Sequence, residues 1–234
     1  MIDRKLNKRI NEELQQNYFS ITAEYLNEWN KAFPKESSPG RINEFGIIDE
    51  YRYDAENGIL FICRETNGWS NEDYEEGSLF RSWMGDISRN GLEGRGHIKK
   101  HPNMWYNIGR WITLIENPNT PLEEIASMKD AAIRAIGKIA FTNVNKVRGY
   151  NNIGKEYNTL AHSFIAGEII KKEIEIINPK TIVCCGTCRP VLKLIPNYAG
   201  KIILMPHAGA RKKTIDMLIT LQEQLAGKEE FRGD

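Results

Sequence analysis

The first long pattern in the chain is helical. Over residues 3–33, apolar and aromatic side chains recur at mixed three- and four-residue spacing, which is typical of one face of an amphipathic helix. Pro34 follows, and the segment after it is rich in Ser, Pro and Gly, so the helix is expected to end there. We therefore predict an N-terminal helical segment over residues 1–40 and a second unit over residues 41–234.

Short apolar runs recur along the rest of the chain and predict strands that are buried on both faces. These runs are 59–63, 139–143, 181–185 and 201–204, and a further short strand is expected within 45–54. Helices are predicted around them, at about 78–90, 103–116, 121–137, 156–177 and 210–225. Strands that alternate with helices are typical of an α/β domain. The expected fold class is a three-layer α/β/α sandwich with a short, mainly parallel central sheet, preceded by the N-terminal helices.

Polar segments follow each of the four main predicted strands. In a parallel sheet, ligands bind at the edge formed by the carboxyl ends of the strands. The segments that would meet there are residues 64–69, 142–149, 186–187 and 205–211. Together they contain a carboxylate, amides, a basic pair and a histidine, which is the usual makeup of an active cleft. We therefore expect the functional site at this edge.

Composition excludes several classes of protein. Hydrophobic residues make up 41% of the 234 residues and the mean hydropathy is −0.50, which excludes a disordered or fibrous chain. No apolar run is long enough to span a membrane, and no apolar stretch of a secretion signal follows the first residues. The four cysteines are too few for a disulfide framework. We expect a reduced, cytoplasmic protein.

Charge and motif searches narrow the possible partners only partly. The net charge of +1 neither requires nor excludes nucleic acid. The pair Cys185 and Cys188 has no second Cys or His pair at zinc-ligand spacing, and no phosphate-binding or dinucleotide-binding glycine motif follows a strand. No metal or cofactor is therefore expected. The run Lys171-Lys172-Glu173 predicts a solvated helix face.

Four motifs in order resemble those of the uracil-DNA glycosylase superfamily. They are Arg64-Glu65-Thr66-Asn67-Gly68-Trp69, Thr142-Asn143-x-x-Lys146-x-Arg148, the Pro179-Lys180 segment that runs into Cys184-Cys185-Gly186-Thr187, and Met205-Pro206-His207-Ala208-Gly209. They are similar to the family's G-E-A-P-G, T-N-x-x-K-x-R, Pro-Lys-x-apolar-Gly and His-Pro-Ser motifs. The resemblance covers about residues 58–215. It departs at Thr66, where other branches place a catalytic Asp or Asn, and after His207, where Pro and Ser are replaced.

The resemblance implies hydrolysis of the N-glycosidic bond of uracil or another deaminated base in DNA. The implied roles are a carboxylate near the sugar cation and water (Glu65), a donor to the leaving base (His207), base contacts (Asn143, Trp69 and Asn67) and phosphate contacts (Lys146, Arg148 and Arg211). Such hydrolysis requires no metal or cofactor, and DNA is the implied partner. Each role has a structural alternative: a paired loop carboxylate, a capping histidine, an amide that satisfies loop backbone, a tryptophan that pins its loop, or a solvated charged face.

Two other functions remain open. Thr66 cannot act as a base, which favours a non-catalytic member of the same fold that binds nucleic acid or a nucleotide. The near-neutral charge instead favours a hydrolase of a small molecule such as a nucleoside, because DNA-binding surfaces are usually basic.

Overall fold

A five-stranded sheet forms the centre of the computed structural model, which describes residues 2–34, 42–64, 66–67, 80–92, 102–149 and 163–227. The strands along the described chain are β1 (Gly46–Ile47), β2 (Ile59–Cys63), β3 (Thr66–Asn67), β4 (Ala140–Asn143), β5 (Arg148–Gly149), β6 (Thr181–Cys185) and β7 (Lys201–Met205). The central sheet has the order β1-β4-β2-β6-β7. Its strands are parallel except β1, which is antiparallel to β4. The prediction of an α/β fold with a mainly parallel sheet is confirmed.

Helices surround this sheet. They are α1 (Arg4–Ala32), α2 (Phe80–Asn90), α3 (Asn103–Glu116), α4 (Leu122–Ser127), α5 (Asp130–Ala135), α6 (Phe164–Ile177), α7 (Cys188–Leu194) and α8 (Thr214–Leu225). The single helix predicted over 121–137 is wrong: Met128 has extended backbone and separates α4 from α5. The last helix begins at Thr214 rather than near residue 210, because a hydrogen-bonded turn from His207 occupies the preceding positions. None of the helices that the described residues form is both long and apolar enough to span a membrane.

The central strands were predictable because burial on both faces favours runs of apolar residues. Every residue of β2 and β4 is buried, and only Thr181 of β6 is partly exposed. Buried parallel strands read as continuous apolar runs, so β2 and β6 have the bounds that the sequence predicted. The strand expected within 45–54 is limited to the two residues of β1.

Helix α1 packs into the same hydrophobic core as the sheet. The Asp3 side chain accepts a hydrogen bond from the backbone N–H of Leu6 at 3.0 Å and caps the helix, as Asp commonly does. The buried face of α1 carries the apolar side chains Ile10, Leu14, Tyr18, Tyr25 and Trp29. The N-terminal helical segment therefore contributes core side chains to the α/β unit.

Asn11 of α1 completes the outer edge of β1. Its Oδ1 accepts the N–H of Ile47 at 2.9 Å, and its Nδ2 donates to the carbonyl oxygen of the same residue at 3.2 Å. An edge strand otherwise presents unpaired backbone groups. One buried amide thus takes the place of a sixth strand and holds the N-terminal helix against the sheet.

Candidate functional site

The carboxyl ends of the parallel strands meet at one edge, as expected. Cys63 at the end of β2 pairs in register with Asn143 at the end of β4, and Cys185 of β6 pairs with Met205 of β7. Beyond the strands, the N–H of Asn145 donates to the carbonyl oxygen of Arg64 at 2.8 Å. The segments that follow β2 and β4 therefore remain hydrogen-bonded to each other after the sheet ends.

A second, two-stranded ladder joins the first two predicted motifs. Strand β3 pairs with β5 in parallel, with Thr66 opposite Arg148 and Asn67 opposite Gly149. Residues 68–147 separate these two segments in the chain, so neither motif on its own indicates the pairing. The pairing places the backbones of Asn67 and Arg148, two of the predicted site residues, in one ladder beside the edge of the main sheet.

The segments that follow β6 and β7 also touch. The N–H of Gly186 donates to the carbonyl oxygen of Met205 at 2.8 Å. Gly186 has a φ of +70°, and a Cβ built there would lie 3.3 Å from the backbone nitrogen of His207. Only glycine combines this left-handed backbone with so close an approach at no steric cost. The structure thus brings the last strand ends together around His207.

The hydrogen bonds of His207 fix which ring nitrogen carries the proton. Its Nδ1 accepts the backbone N–H of Gly209 at 3.1 Å, so the neutral imidazole carries its proton on Nε2. Burial lowers the pKa of His207, and the positive charge of Arg64 lowers it further. At neutral pH this side chain is therefore a neutral imidazole that carries its proton on Nε2.

Helix α3 anchors the loop that contains His207. Asn107 is buried, and its Nδ2 donates to the carbonyl oxygen of Ala208 at 2.8 Å. The backbone also turns on itself, since the N–H of Ala210 donates to the carbonyl oxygen of His207 at 2.8 Å. These bonds constrain the backbone of residues 207–210, which contain the histidine.

The predicted phosphate contact by Lys146 is wrong. Its side chain is fully buried, and Nζ lies 2.6 and 2.7 Å from the two carboxylate oxygens of Glu173 in α6. Nζ also donates to the Oγ1 of Thr142 at 2.6 Å and lies 5.2 Å from the centre of the Phe45 ring. Burial lowers the pKa of Lys146, and the Glu173 carboxylate opposes that shift. Lys146 is an interior ion-pair partner that an external phosphate cannot reach.

The same contacts correct the prediction of a solvated face at 171–173. Glu173 is fully buried and accepts hydrogen bonds from the hydroxyls of Thr142 and Tyr18 in addition to Lys146. Lys171 and Lys172, in contrast, are about half exposed and pair with nearby carboxylates of their own helix. Only the two lysines follow the prediction.

The structure describes some of the remaining predicted site residues with their side chains and others by their backbone alone. Asn143 is buried at the end of β4, with 1% of its surface exposed. Arg211 is exposed on the loop after β7. Asn67 and Arg148 are placed by their backbones in β3 and β5. Glu65 and Trp69 lie outside the described residues, so their predicted roles stay predictions.

Sequence reasoning missed several residues that build this edge. Arg64 directly follows β2, and its positive charge lowers the pKa of His207. Its place at the start of the first motif could have identified it as a site residue. Nothing in the sequence indicated the role of Asn107, because a single amide on a helix face is common. The hydroxyl of Thr187 donates to the carbonyl oxygen of Ile62 at 2.8 Å and fastens the exit of β6 to β2.

The opposite edge of the sheet carries a different opening. A polar groove of about 560 Å³ lies beside the first residues of β2 and β6, Ile59 and Thr181. Its lining mixes cations and carboxylates, including the Lys138–Glu116 ion pair at 2.5 Å. None of the predicted site residues lines it. This groove is therefore separate from the candidate site at the carboxyl edge.

Metal-ligating side chains do not cluster in the described part of the chain: no group of three or more His, Cys, Asp or Glu residues there is placed to hold an ion. Cys63, Cys184 and Cys185 are free and buried in their strands. In comparisons with known proteins, no family model matches the chain and no curated protein matches its sequence significantly.

Proposed function

We propose that the chain is an N-glycosyl hydrolase of the uracil-DNA glycosylase type, acting on uracil or another deaminated base in DNA. The proposal includes a three-layer α/β/α domain of that superfamily. One observation carries it: His207 presents a neutral imidazole with the proton on Nε2 at the carboxyl edge, where segments of the motifs that resemble the family converge.

The reaction breaks the bond between the anomeric carbon and the base nitrogen. The bonding electrons leave with the base, the sugar becomes an oxocarbenium ion, and water adds to the anomeric carbon with loss of a proton. His207 would donate its Nε2–H to the base oxygen on which negative charge develops, which stabilises the transition state more than the ground state. Asn143 would read the base edge, and Glu65 would orient the water and accept its proton.

Phosphate contacts in this proposal rest on Arg148 and Arg211. Lys146 is not one of the proposed phosphate contacts, because its ammonium group is buried against Glu173. Arg64 is a further cation at the edge, and its effect on His207 places its charge near the proposed donor. Fewer phosphate contacts predict a shallow dependence of DNA affinity on salt.

A cleavage assay tests the proposal. Labelled oligonucleotides carrying uracil, hypoxanthine or xanthine, single- and double-stranded, are incubated with the protein and then treated with alkali to break abasic sites. We expect cleavage that His207→Ala, Asn143→Ala and Glu65→Ala each reduce by at least about 100-fold, the usual scale for losing a positioned donor or general base. Tyr198→Phe, at the opposite edge, is the matched control and should leave cleavage unchanged.

A small-molecule hydrolase is the second candidate, and the burial of Lys146 favours it. With that lysine paired in the interior, the near-neutral chain has one fewer cation for a DNA backbone. Release of free base from nucleosides, measured by chromatography, distinguishes the two. Activity on nucleosides without activity on any oligonucleotide would replace the DNA proposal, whereas binding of oligonucleotides without cleavage would indicate a non-catalytic member of the fold.

A further inference from the structure

The segment that joins β4 to β5 is held by several elements at once. Its residues 142–147 are all buried. It begins beside Asn143, the proposed base reader, and leads to Arg148, whose backbone pairs with the first motif. Two backbone hydrogen bonds tie it to the exit of β2, from Val144 to Cys63 at 2.9 Å and from Asn145 to Arg64 at 2.8 Å.

Tyr25 of α1 contacts this segment from the N-terminal helix. Its side chain is fully buried, and its hydroxyl donates to the Oδ1 of Asn145 at 2.8 Å. The same hydroxyl accepts the backbone N–H of Lys146 at 2.8 Å. The Oδ1 of Asn145 also accepts the N–H of Val147 at 3.2 Å. The Tyr25 hydroxyl therefore contacts Asn145 and Lys146 directly and is linked to Val147 through the Asn145 side chain.

The other side of the segment is fixed from α6 and from residues before β1. The Lys146 ammonium group is held by Glu173, and the carbonyl oxygen of Lys146 accepts the N–H of Asn43 at 2.7 Å. The backbone and the side chain of Lys146 are therefore both constrained. The contribution of Tyr25 is to fix the conformation of Asn145 and its neighbours, immediately before β5.

We infer that Tyr25 is a positioning residue, which acts through Asn145 and the backbone of Lys146 to hold the segment bearing Asn143 and Arg148 in its active geometry. This inference rests on the proposed function for its catalytic consequence. Groups that bind a transition state must be held within a fraction of an ångström, and buried hydrogen bonds from behind supply that constraint. The N-terminal helix would thus be part of the catalytic architecture rather than only a cover for the sheet.

The variant Tyr25→Phe tests the inference, because it keeps the buried ring and removes the hydroxyl. We expect amide hydrogen exchange in residues 143–149 to rise at least tenfold, with exchange in α6 and β7 unchanged. On the DNA substrate that the wild type cleaves, kcat should fall at least tenfold while KM changes less than threefold. Asn145→Ala removes the same acceptor from the segment and serves if the first variant does not fold.

Tyr198→Phe is the matched control. Its hydroxyl also donates a hydrogen bond to the backbone, at the carbonyl oxygen of Pro179, but at the opposite edge of the sheet. It should change neither exchange in 143–149 nor kcat. An equal rise in exchange throughout Tyr25→Phe, no rise in 143–149, or a local rise with unchanged kcat would each overturn the inference. A wild type that cleaves no substrate overturns the proposed function instead, and the exchange measurement then still decides whether Tyr25 positions the segment.

Discussion

Replacement of Lys146 by Met measures what the buried ion pair contributes to stability. The substitution keeps the length and apolar stem of the side chain but removes the ammonium group that lies 2.6 and 2.7 Å from the Glu173 oxygens. Both side chains have no exposed surface, so water cannot replace the lost cation. Removing one partner of a buried pair typically costs about 3–5 kcal/mol, because the other charge remains buried and uncompensated.

A domain of this size has a total stability of about 5–15 kcal/mol, so the predicted loss is a large fraction of it. Urea denaturation followed by tryptophan fluorescence measures the loss, and the fully buried Trp29 and Trp111 provide the signal. We expect the midpoint to fall with an unchanged slope. Lys171→Met removes an exposed lysine of the same helix as Glu173, paired with Glu168 at 2.9 Å, and should change stability by less than about 0.5 kcal/mol.

The double variant Lys146→Met/Glu173→Leu removes both charges and separates the two contributions. Replacing a whole buried pair by apolar side chains is often neutral, so the double variant should lose less stability than the two single variants lose in sum. The hydroxyls of Tyr18 and Thr142 lose their acceptor, which costs about 1–3 kcal/mol for each buried group left unsatisfied. A loss below about 1 kcal/mol in Lys146→Met, or a double variant as unstable as the sum of both single variants, would refute the reasoning.

Three further predictions concern the histidine and the glycines. Because burial lowers the pKa of His207 below its ordinary value of 6.5, its contribution to stability is complete above pH 6.5 and is lost as the pH falls below it. Urea midpoints from pH 7.5 to 5 should fall less steeply in His207→Gln. Gly186→Ala should lower the free energy of unfolding by about 1–2 kcal/mol and reduce cleavage. Gly91 has a φ of +77° and open space around it, so Gly91→Ala should lower the free energy of unfolding by a similar amount and leave cleavage unchanged. In thermal denaturation, Gly109→Ala should be strongly destabilising because its Cβ would lie 1.9 Å from a backbone oxygen of α5, whereas Gly167→Ala meets only a flexible leucine methyl and should be nearly neutral.

The sheet was predictable because burial acts on every residue of a central strand. The runs 59–63 and 181–185 contain only apolar residues, Cys and one Thr, and both have the predicted bounds. The two-residue strands had no such signal. The β3–β5 ladder forms only because the main sheet delivers its two segments to the same edge, and no local pattern in Thr66-Asn67 or Arg148-Gly149 indicates that.

Lys146 shows where reasoning from a motif fails. A lysine that follows a strand is usually exposed, and nothing in its own segment marks it as buried. The signal lies elsewhere: Glu173 occupies a position four residues after Ile169 and four before Ile177, so it falls within the apolar face of α6. An acid on a buried face requires a cation, and that requirement could have identified an interior lysine.

The spacing of Tyr18 and Tyr25 extends this argument to α1. Seven residues apart, they lie on one face of the helix, and each carries its hydroxyl into the core, to Glu173 and to Asn145. The residues of Thr142-Asn143-x-Asn145-Lys146 therefore serve two purposes that the motif alone does not separate. Thr142, Asn145 and Lys146 fasten the segment to the helices behind it, which leaves Asn143 and Arg148 as the positions at which the proposed chemistry can be tested.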